Sequence, residues 1–190
     1  QWIRGDIRDA SAINKACRNV DTIIHTAALS GVWGSWNSYY EVNTVGTEHV
    51  IAAARAQAVK HLVYTSSPSV TFDGTDQVNI SEDVPYPNSW LCHYPHSKAI
   101  AEQAVLAANG QNDLATCALR PHLIWGVNDP HLFPRLIERG KAGKLRIVGN
   151  GTNRVDMVHV TNAAHAHLCA IEALNNNPAS HGKAYWISQQ

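Results

Sequence analysis

The chain has 190 residues, 45% of them hydrophobic, which is enough apolar material for one sizeable core. Its 15 basic and 15 acidic residues balance to a formal net charge of zero, with the cations scattered. That excludes an electrostatic footprint for nucleic acid or an anionic membrane. No apolar run approaches the length of a membrane span and no signal peptide opens the chain, so the expected partner is a small molecule.

In chain order, residues 1–3 (Gln-Trp-Ile) read as the tail of a strand already under way. Residues 9–17 read as a short helix with an Asp start, and residues 20–25 as a compact β-branched strand. A long amphipathic helix is expected over 38–57, followed by a strand over 61–65. Residues 66–90 hold Pro68, Gly74, Pro85 and Pro87 and read as loop. A helix over 94–109 ends at Gly110, and a strand over 114–119 ends at Arg120-Pro121. A helix over 132–140, a short strand over 145–148, a helix over 162–174 and a last strand over 184–188 complete the pass. Strands alternating with helices at this spacing predict right-handed βαβ units: an α/β chain with a doubly wound, mostly parallel sheet.

The four cysteines lie far apart without a Cys-x-x-Cys pair and read as reduced, buried thiols of a cytoplasmic protein. Eleven His are present, but no His-Glu-x-x-His, so no metal site is expected. His165 and His167, two apart on a helix, point to different sides of it.

In parallel sheets of this kind ligands bind outside the carboxyl ends of the strands. Small and polar residues cluster there: Gly5-Asp6-Ile7, His25-Thr26-Ala27-Ala28, Thr65-Ser66-Ser67 and Arg120-Pro121-His122. Beyond the third cluster stands Tyr94-Pro95-His96-Ser97-Lys98, whose Tyr and Lys, four apart, share one helix face. Alone this spacing is a weak signal. Beside Ser66 and Ser67 it supplies a phenol, a cation to lower the phenol's pKa and a hydroxyl for a substrate oxygen. That is equipment for moving a proton on or off a carbonyl or alcohol.

Taken in order, these pieces resemble the extended short-chain dehydrogenase/reductase family (the epimerase/dehydratase superfamily). Gly5-Asp6-Ile7-Arg8-Asp9, Asn43-Thr44-Val45-Gly46-Thr47, Tyr64-Thr65-Ser66-Ser67, Tyr94-x-x-x-Lys98, Leu119-Arg120-Pro121 and Asp156-Met157-Val158-His159-Val160 carry the likeness. Within it the chain is most similar to the 3β-hydroxysteroid dehydrogenase/isomerase branch. The segments that point there are Thr65 through Val70, Leu119 through Gly126 and Gly149 through Asn153. Val32-Trp33-Gly34-Ser35-Trp36 also resembles bacterial 2-alkyl-3-oxoalkanoate reductases.

The resemblance implies a Rossmann-type domain over 1–190, with 122–160 contributing to a substrate-binding region. It implies an NAD(P)-dependent oxidoreductase acting on a hydroxyl or keto group of an apolar substrate, a 3β-hydroxysteroid or a 3-oxoacyl derivative. Tyr94 is then the proton donor or acceptor, Lys98 lowers its pKa and bridges the nicotinamide ribose, and Ser67 holds the substrate oxygen, with Ser66 the alternative if the turn shifts by one. Asn43 matches a helix Asn near the Lys, or is simply a helix-interior Asn satisfied by backbone. Asp6 and Ile7 would meet the adenine, unless Asp6 is only a turn former. Ala27, Ala28, Thr65, Pro121 and His122 would line the rest of the cofactor, NAD or NADP. Trp33 and Trp125 would line the substrate pocket, with Trp36 and Trp90 nearby, at least one of the four being packing. Homodimerisation through the helices over 38–57 and 94–109 is the family's habit.

The family's Gly-x-x-Gly-x-x-Gly turn is absent, as is the residue that separates NAD from NADP. The chain thus reads as a piece of a longer protein, expected to bind dinucleotide weakly as it stands. A nucleotide-sugar epimerase or dehydratase would use the same triad but needs cations for a diphosphate; Arg154 and Arg135 are the candidates. A dinucleotide sensor would need neither Tyr94 nor Lys98.

Overall fold

The computed structural model describes residues 2–129, 132–147 and 149–189. Helix α1 (Ala10–Ala16) begins where the sequence signalled it, the Asp9 carboxylate accepting from the Ser11 and Ala12 amides. Strands β1 (Thr22–His25), β2 (His61–Thr65), β3 (Ala115–Pro121) and β6 (Lys183–Ile187) form one sheet in the order β1-β2-β3-β6, every pair parallel. Parallel neighbours need crossovers, and helices supply them on both faces. Helix α3 (Gly46–Ala56) and α4 (His93–Ala107) cover one face around Leu62, Tyr64, Val105 and Leu114. Helix α6 (Val160–Asn176) covers the other against Val63, Cys117 and Leu119. Buried from both sides, β3 is inaccessible along its whole length; its residues are small or apolar except Arg120, which Glu102 pairs.

A second, two-stranded parallel sheet pairs β4 (Leu123–Trp125) with β5 (Met157–His159). With the exposed helix α5 (Leu132–Lys141) it occupies the 122–160 stretch.

Three expectations need correction. Trp2 and Ile3 form no strand; they are exposed coil, since the free edge of β1 takes no partner among the described residues. Residues 145–147 are likewise exposed coil, and Val148 lies outside the described residues. Gly143 and Gly149, both at positive φ, bend the backbone on either side of them, and the small sheet is built from β4 and β5 instead. The long helix expected over 38–57 is interrupted: α2 (Trp36–Tyr39) passes into a π-helical turn (Tyr40–Val45) before α3 begins. At the first position of α3 only glycine fits without a shift, because a Cβ on Gly46 would lie 2.8 Å from Ile7 Cγ2.

All four cysteines are free thiols, Cys17 and Cys117 buried, Cys92 half-buried and Cys169 exposed beside His165. Burial was therefore expected for more of them than have it. Among the described residues no helix is long and apolar enough to cross a membrane.

Candidate active site

The carboxyl ends of β1, β2 and β3 open into one cleft of about 1020 Å³. Thr26 and Ala28 follow β1, Thr65, Ser66 and Ser67 end β2, and Pro121 and His122 end β3. Helix α4 adds Tyr94 and Lys98 from its first two turns. The far wall is apolar, with Val32, Phe72, Leu91, Leu123 and Ile124 among its residues. The strand-end residues and the Tyr94-Lys98 pair therefore meet in one place, while Ile7 and Ala27 line a separate cavity beside β1.

Ser67 ends β2 in extended backbone and caps the short 3-10 turn Pro68–Thr71, accepting from the Ser69 amide. Its hydroxyl shares a 2.7 Å hydrogen bond with Ser69 and lies beside the Tyr94 hydroxyl, whose pKa it lowers. Burial lifts the Tyr94 phenol above its ordinary value, Ser67 pulls it down in part and Tyr39 raises it again. The sequence argument had Lys98 lowering this pKa. Instead the Lys98 ammonium, 2% exposed, donates to the Thr65 carbonyl at 2.7 Å and sits 4.1 Å from the centre of the Tyr64 ring. Burial brings Lys98 itself down to about 7, opposed by Glu102 one turn further along α4. Ser66 is the deeper of the two serines, and its buried hydroxyl has no partner among the described residues.

Asn43 lies inside the π-helical turn and is satisfied on three sides. Its Oδ1 accepts from the Leu29 amide at 2.7 Å, while Nδ2 donates to the Leu29 carbonyl and to Ser97 Oγ, each at 3.0 Å. It thus clamps the loop after β1 to helix α4, one residue from Lys98. Part of the plain reading holds, because Leu29 backbone takes two of those bonds. An interruption of this kind often marks a functional helix.

Sequence reasoning missed the buried junctions beneath the cleft. The Thr47 hydroxyl donates its proton to the Asn43 carbonyl at 2.7 Å, so His25 Nε2, 2.8 Å away, must be the donor to Thr47. Burial and Lys98 hold His25 down to about 3, which keeps it neutral. His167 bonds the Thr65 hydroxyl at 2.7 Å and the Ala163 carbonyl at 2.7 Å, tying α6 to the end of β2. His165, as its spacing predicted, points elsewhere. Arg120 makes a buried fork with Glu102, 2.6 Å at its closest, and the Tyr86 hydroxyl joins the same carboxylate. Arg120 was legible only as a strand end, and Glu102 gave no signal beyond its spacing from Lys98.

The aromatic expectations divide. Trp33 lines the cleft and is 91% exposed. Trp125 does not reach the described lining of the cleft; it packs on Phe133 and His159 beside a smaller groove. Trp36 and Trp90 sandwich His96, and the Trp90 N–H is satisfied by the Val70 carbonyl. They are packing.

The residues present fit a nicotinamide dinucleotide. Lys98 carries three protons and gives one to Thr65, which leaves donors for ribose hydroxyls. Ala27 and Ala28 are exposed at the end of β1 and would let a ligand approach the backbone. Asp6 is less free, because both its oxygens accept from Arg8, which holds its carboxyl down at about 2, and its carbonyl closes a turn with Asp9. Among the described residues no cluster of His, Cys, Asp and Glu could hold a metal ion.

The chain is 50% identical over 188 residues to a 2-alkyl-3-oxoalkanoate reductase of Stenotrophomonas maltophilia, covering 98% of this chain and 57% of that protein. It is 38% identical to the sterol-4-alpha-carboxylate 3-dehydrogenase, decarboxylating, of Bos taurus, covering 99% of this chain and 53% of the relative. The chain thus spans about half the length of these relatives. The dTDP-glucose 4,6-dehydratase of Streptomyces venezuelae, solved with NAD bound, superposes with a TM-score of 0.81 at 26% identity, over 98% of this chain and 57% of that one. The sheet order, helices on both faces and this likeness make the fold Rossmann-type, of the extended short-chain dehydrogenase/reductase kind. A family model described as 3-beta hydroxysteroid dehydrogenase/isomerase matches residues 1–190, and the chain belongs to that family.

Proposed function

We propose that the whole protein is an NAD(P)-dependent oxidoreductase that interconverts a hydroxyl and a keto group on a substrate with a large apolar body. The observation that carries the reading is the meeting of Ser67, Tyr94 and Lys98 in one apolar-walled cleft at the strand ends. Bound NAD or NADP supplies the hydride donor or acceptor. Tyr94 holds the proton that passes to or from the substrate oxygen, and its raised pKa keeps it protonated at neutral pH, as ketone reduction needs. Ser67, beside Tyr94, would orient the same oxygen, and Lys98 would hold the ribose. Asp6, Ile7, Ala27, Ala28, Thr65 and Pro121 would hold the cofactor. Asn43 keeps the loop after β1 and helix α4 in register, and Trp33 lies against the apolar end of the substrate.

The two relatives narrow the substrate. One name denotes a 3-oxo acid, the other a sterol oxidised at position 3 beside a carboxylate at position 4. Both place a carboxylate on the carbon next to the reacting one, and a β-oxo or β-hydroxy acid on a long alkyl or sterol body is the class we assign. A sugar nucleotide fits less well: no Arg lines the cleft among its described residues, and Arg135 and Arg154 are exposed elsewhere.

The test is nicotinamide absorbance with both cofactors, a 3β-hydroxysteroid and a 2-alkyl-3-hydroxyalkanoate. Tyr94→Phe is expected to lose ~10²–10⁴-fold in kcat with cofactor binding kept. Equal turnover in the variant, or none in the wild type with any pair, refutes the reading.

A further inference from the structure

We propose that His122, backed by Asp156, is the group of this cleft that receives the substrate's carboxylate. The inference rests on the oxidoreductase reading above and adds to it the residue that selects an acid over a neutral ketone or alcohol.

The position is built on rigid elements. His122 follows Pro121 at the end of β3, and its amide donates to the Ile187 carbonyl of β6 at 2.9 Å. The ring packs on Trp186, with centroids 5.5 Å apart, and half-buried it lines the same cleft as Ser67, Tyr94 and Lys98. Nε2 faces Asp156 Oδ2 at 3.9 Å. That approach is too long for a hydrogen bond, but the carboxylate pulls toward the imidazolium, whose two ring nitrogens both donate.

The inventory of cations makes the assignment. Among the described residues of the cleft, Lys98 and His122 are those that can carry a positive charge. Lys98 is buried, held by the Thr65 carbonyl and stacked over Tyr64. An anionic group on a substrate whose reacting oxygen sits at Ser67 and Tyr94 therefore has His122 to meet it. Burial lowers the His122 pKa while Asp156 pushes it back up. The other charged groups near it are Asp129 and Lys98 across the cleft, and Arg120, whose guanidinium lies 4.9 Å from the Trp186 ring. An incoming carboxylate adds to the pull of Asp156, so acid binding should be strongest where His122 is protonated and weaken as pH rises through its pKa, which burial sets below the ordinary histidine value before an acid binds. In the oxidative direction the carbinol hydride would go to the bound oxidised nicotinamide and the hydroxyl proton to Tyr94 in its phenolate form; the carboxylate only binds.

The experiment measures kcat/KM in the whole protein for a long-chain 2-alkyl-3-hydroxyalkanoate and for its methyl ester. Wild type, His122→Gln and Asp156→Asn are compared across pH, with cofactor Kd followed by nicotinamide fluorescence. The wild type should favour the acid by ~10-fold or more, a preference that declines with pH. His122→Gln should cut the acid-to-ester ratio at least ~10-fold and flatten its pH dependence. Asp156→Asn should move the decline to lower pH; if His122→Gln does not fold, this variant and the wild-type profile decide. A fall of acid and ester together with cofactor affinity leaves the ratio intact, makes His122 a cofactor residue and overturns the proposal. Wild-type indifference to the carboxylate overturns it while the oxidoreductase reading stands. Silence with both substrates and both cofactors overturns both.

Discussion

Replacing Lys98 by Met should make the protein more stable and less active, by amounts the structure constrains. Lys98 has fallen from 10.5 to about 7, with burial as the first cause. At about 1.4 kcal/mol per pKa unit, its charged form in the folded state costs about 5 kcal/mol relative to the unfolded chain. Met keeps most of the packing volume, and Glu102 stays paired with Arg120 and Tyr86, so no buried charge is orphaned. The variant loses the bond to Thr65 and the contact with the Tyr64 ring, together about 2–3 kcal/mol. The net gain is thus about 2–3 kcal/mol near neutral pH. The pH dependence has a definite sign. Since the folded pKa lies below the unfolded one, the unfolded chain binds more protons between pH 7 and 10.5, and wild-type stability rises across that window. The advantage of Lys98→Met should be full at and below pH 7, shrink as pH rises, and on these numbers turn into a loss towards pH 10.5. Urea unfolding at pH 7 and pH 9.5 measures it. A destabilised variant at pH 7, or a gain that does not shrink with pH, refutes the reasoning.

Arg120→Met leaves Glu102 buried with only Tyr86 beside it, and denaturant unfolding should show a loss of about 3–5 kcal/mol. Adding Glu102→Leu should recover a large part of it. Gly46→Ala drives a methyl group into Ile7 and should cost about 1–3 kcal/mol, read as a fall in Tm of a few degrees. Asn43→Leu removes the acceptor of the Leu29 amide, whose hydrogen exchange should speed up at least ~10-fold while the sheet amides keep their protection; unchanged exchange at Leu29 would mean that Asn43 does not hold this loop.

The sheet was legible because its signals are local. β-branched and small residues in β2 and β3 sit between turn formers, and the Asp9 cap marks its helix directly. Tyr94 and Lys98 could be placed on one face by spacing alone. The interruption at Tyr40–Val45 could not, since its cause is the demand of Leu29 and Ser97 for the Asn43 side chain. The same holds for Arg120. Its sequence position says strand end, and only the fold brings Glu102, eighteen residues earlier, against it. Residues 145–147 failed as a strand for the converse reason: their apolar pattern was sufficient, but strands form only where a neighbour pairs with them. Among the tryptophans, sequence could not separate Trp33, left facing the cleft, from Trp36 and Trp90, which close over His96.

The groups we assign to the reaction are held by polar atoms that each join two elements, at a cost in free energy. Thr65 receives Lys98 at its carbonyl and His167 at its hydroxyl, so the end of β2 is fixed from both faces of the sheet. Asn43 does the same between the loop after β1 and α4, and Arg120 between β3, α4 and the Glu82 carbonyl. An apolar core would be cheaper in free energy at several of these points, but it would not set the direction of an ammonium or a phenol. Burial moves the Tyr94 phenol up and the Lys98 ammonium down, so each is driven toward its neutral form. A charge arriving beside them therefore shifts their protonation with little competition from solvent. The strain that Lys98→Met should release is, on this account, the same quantity that makes the pair responsive.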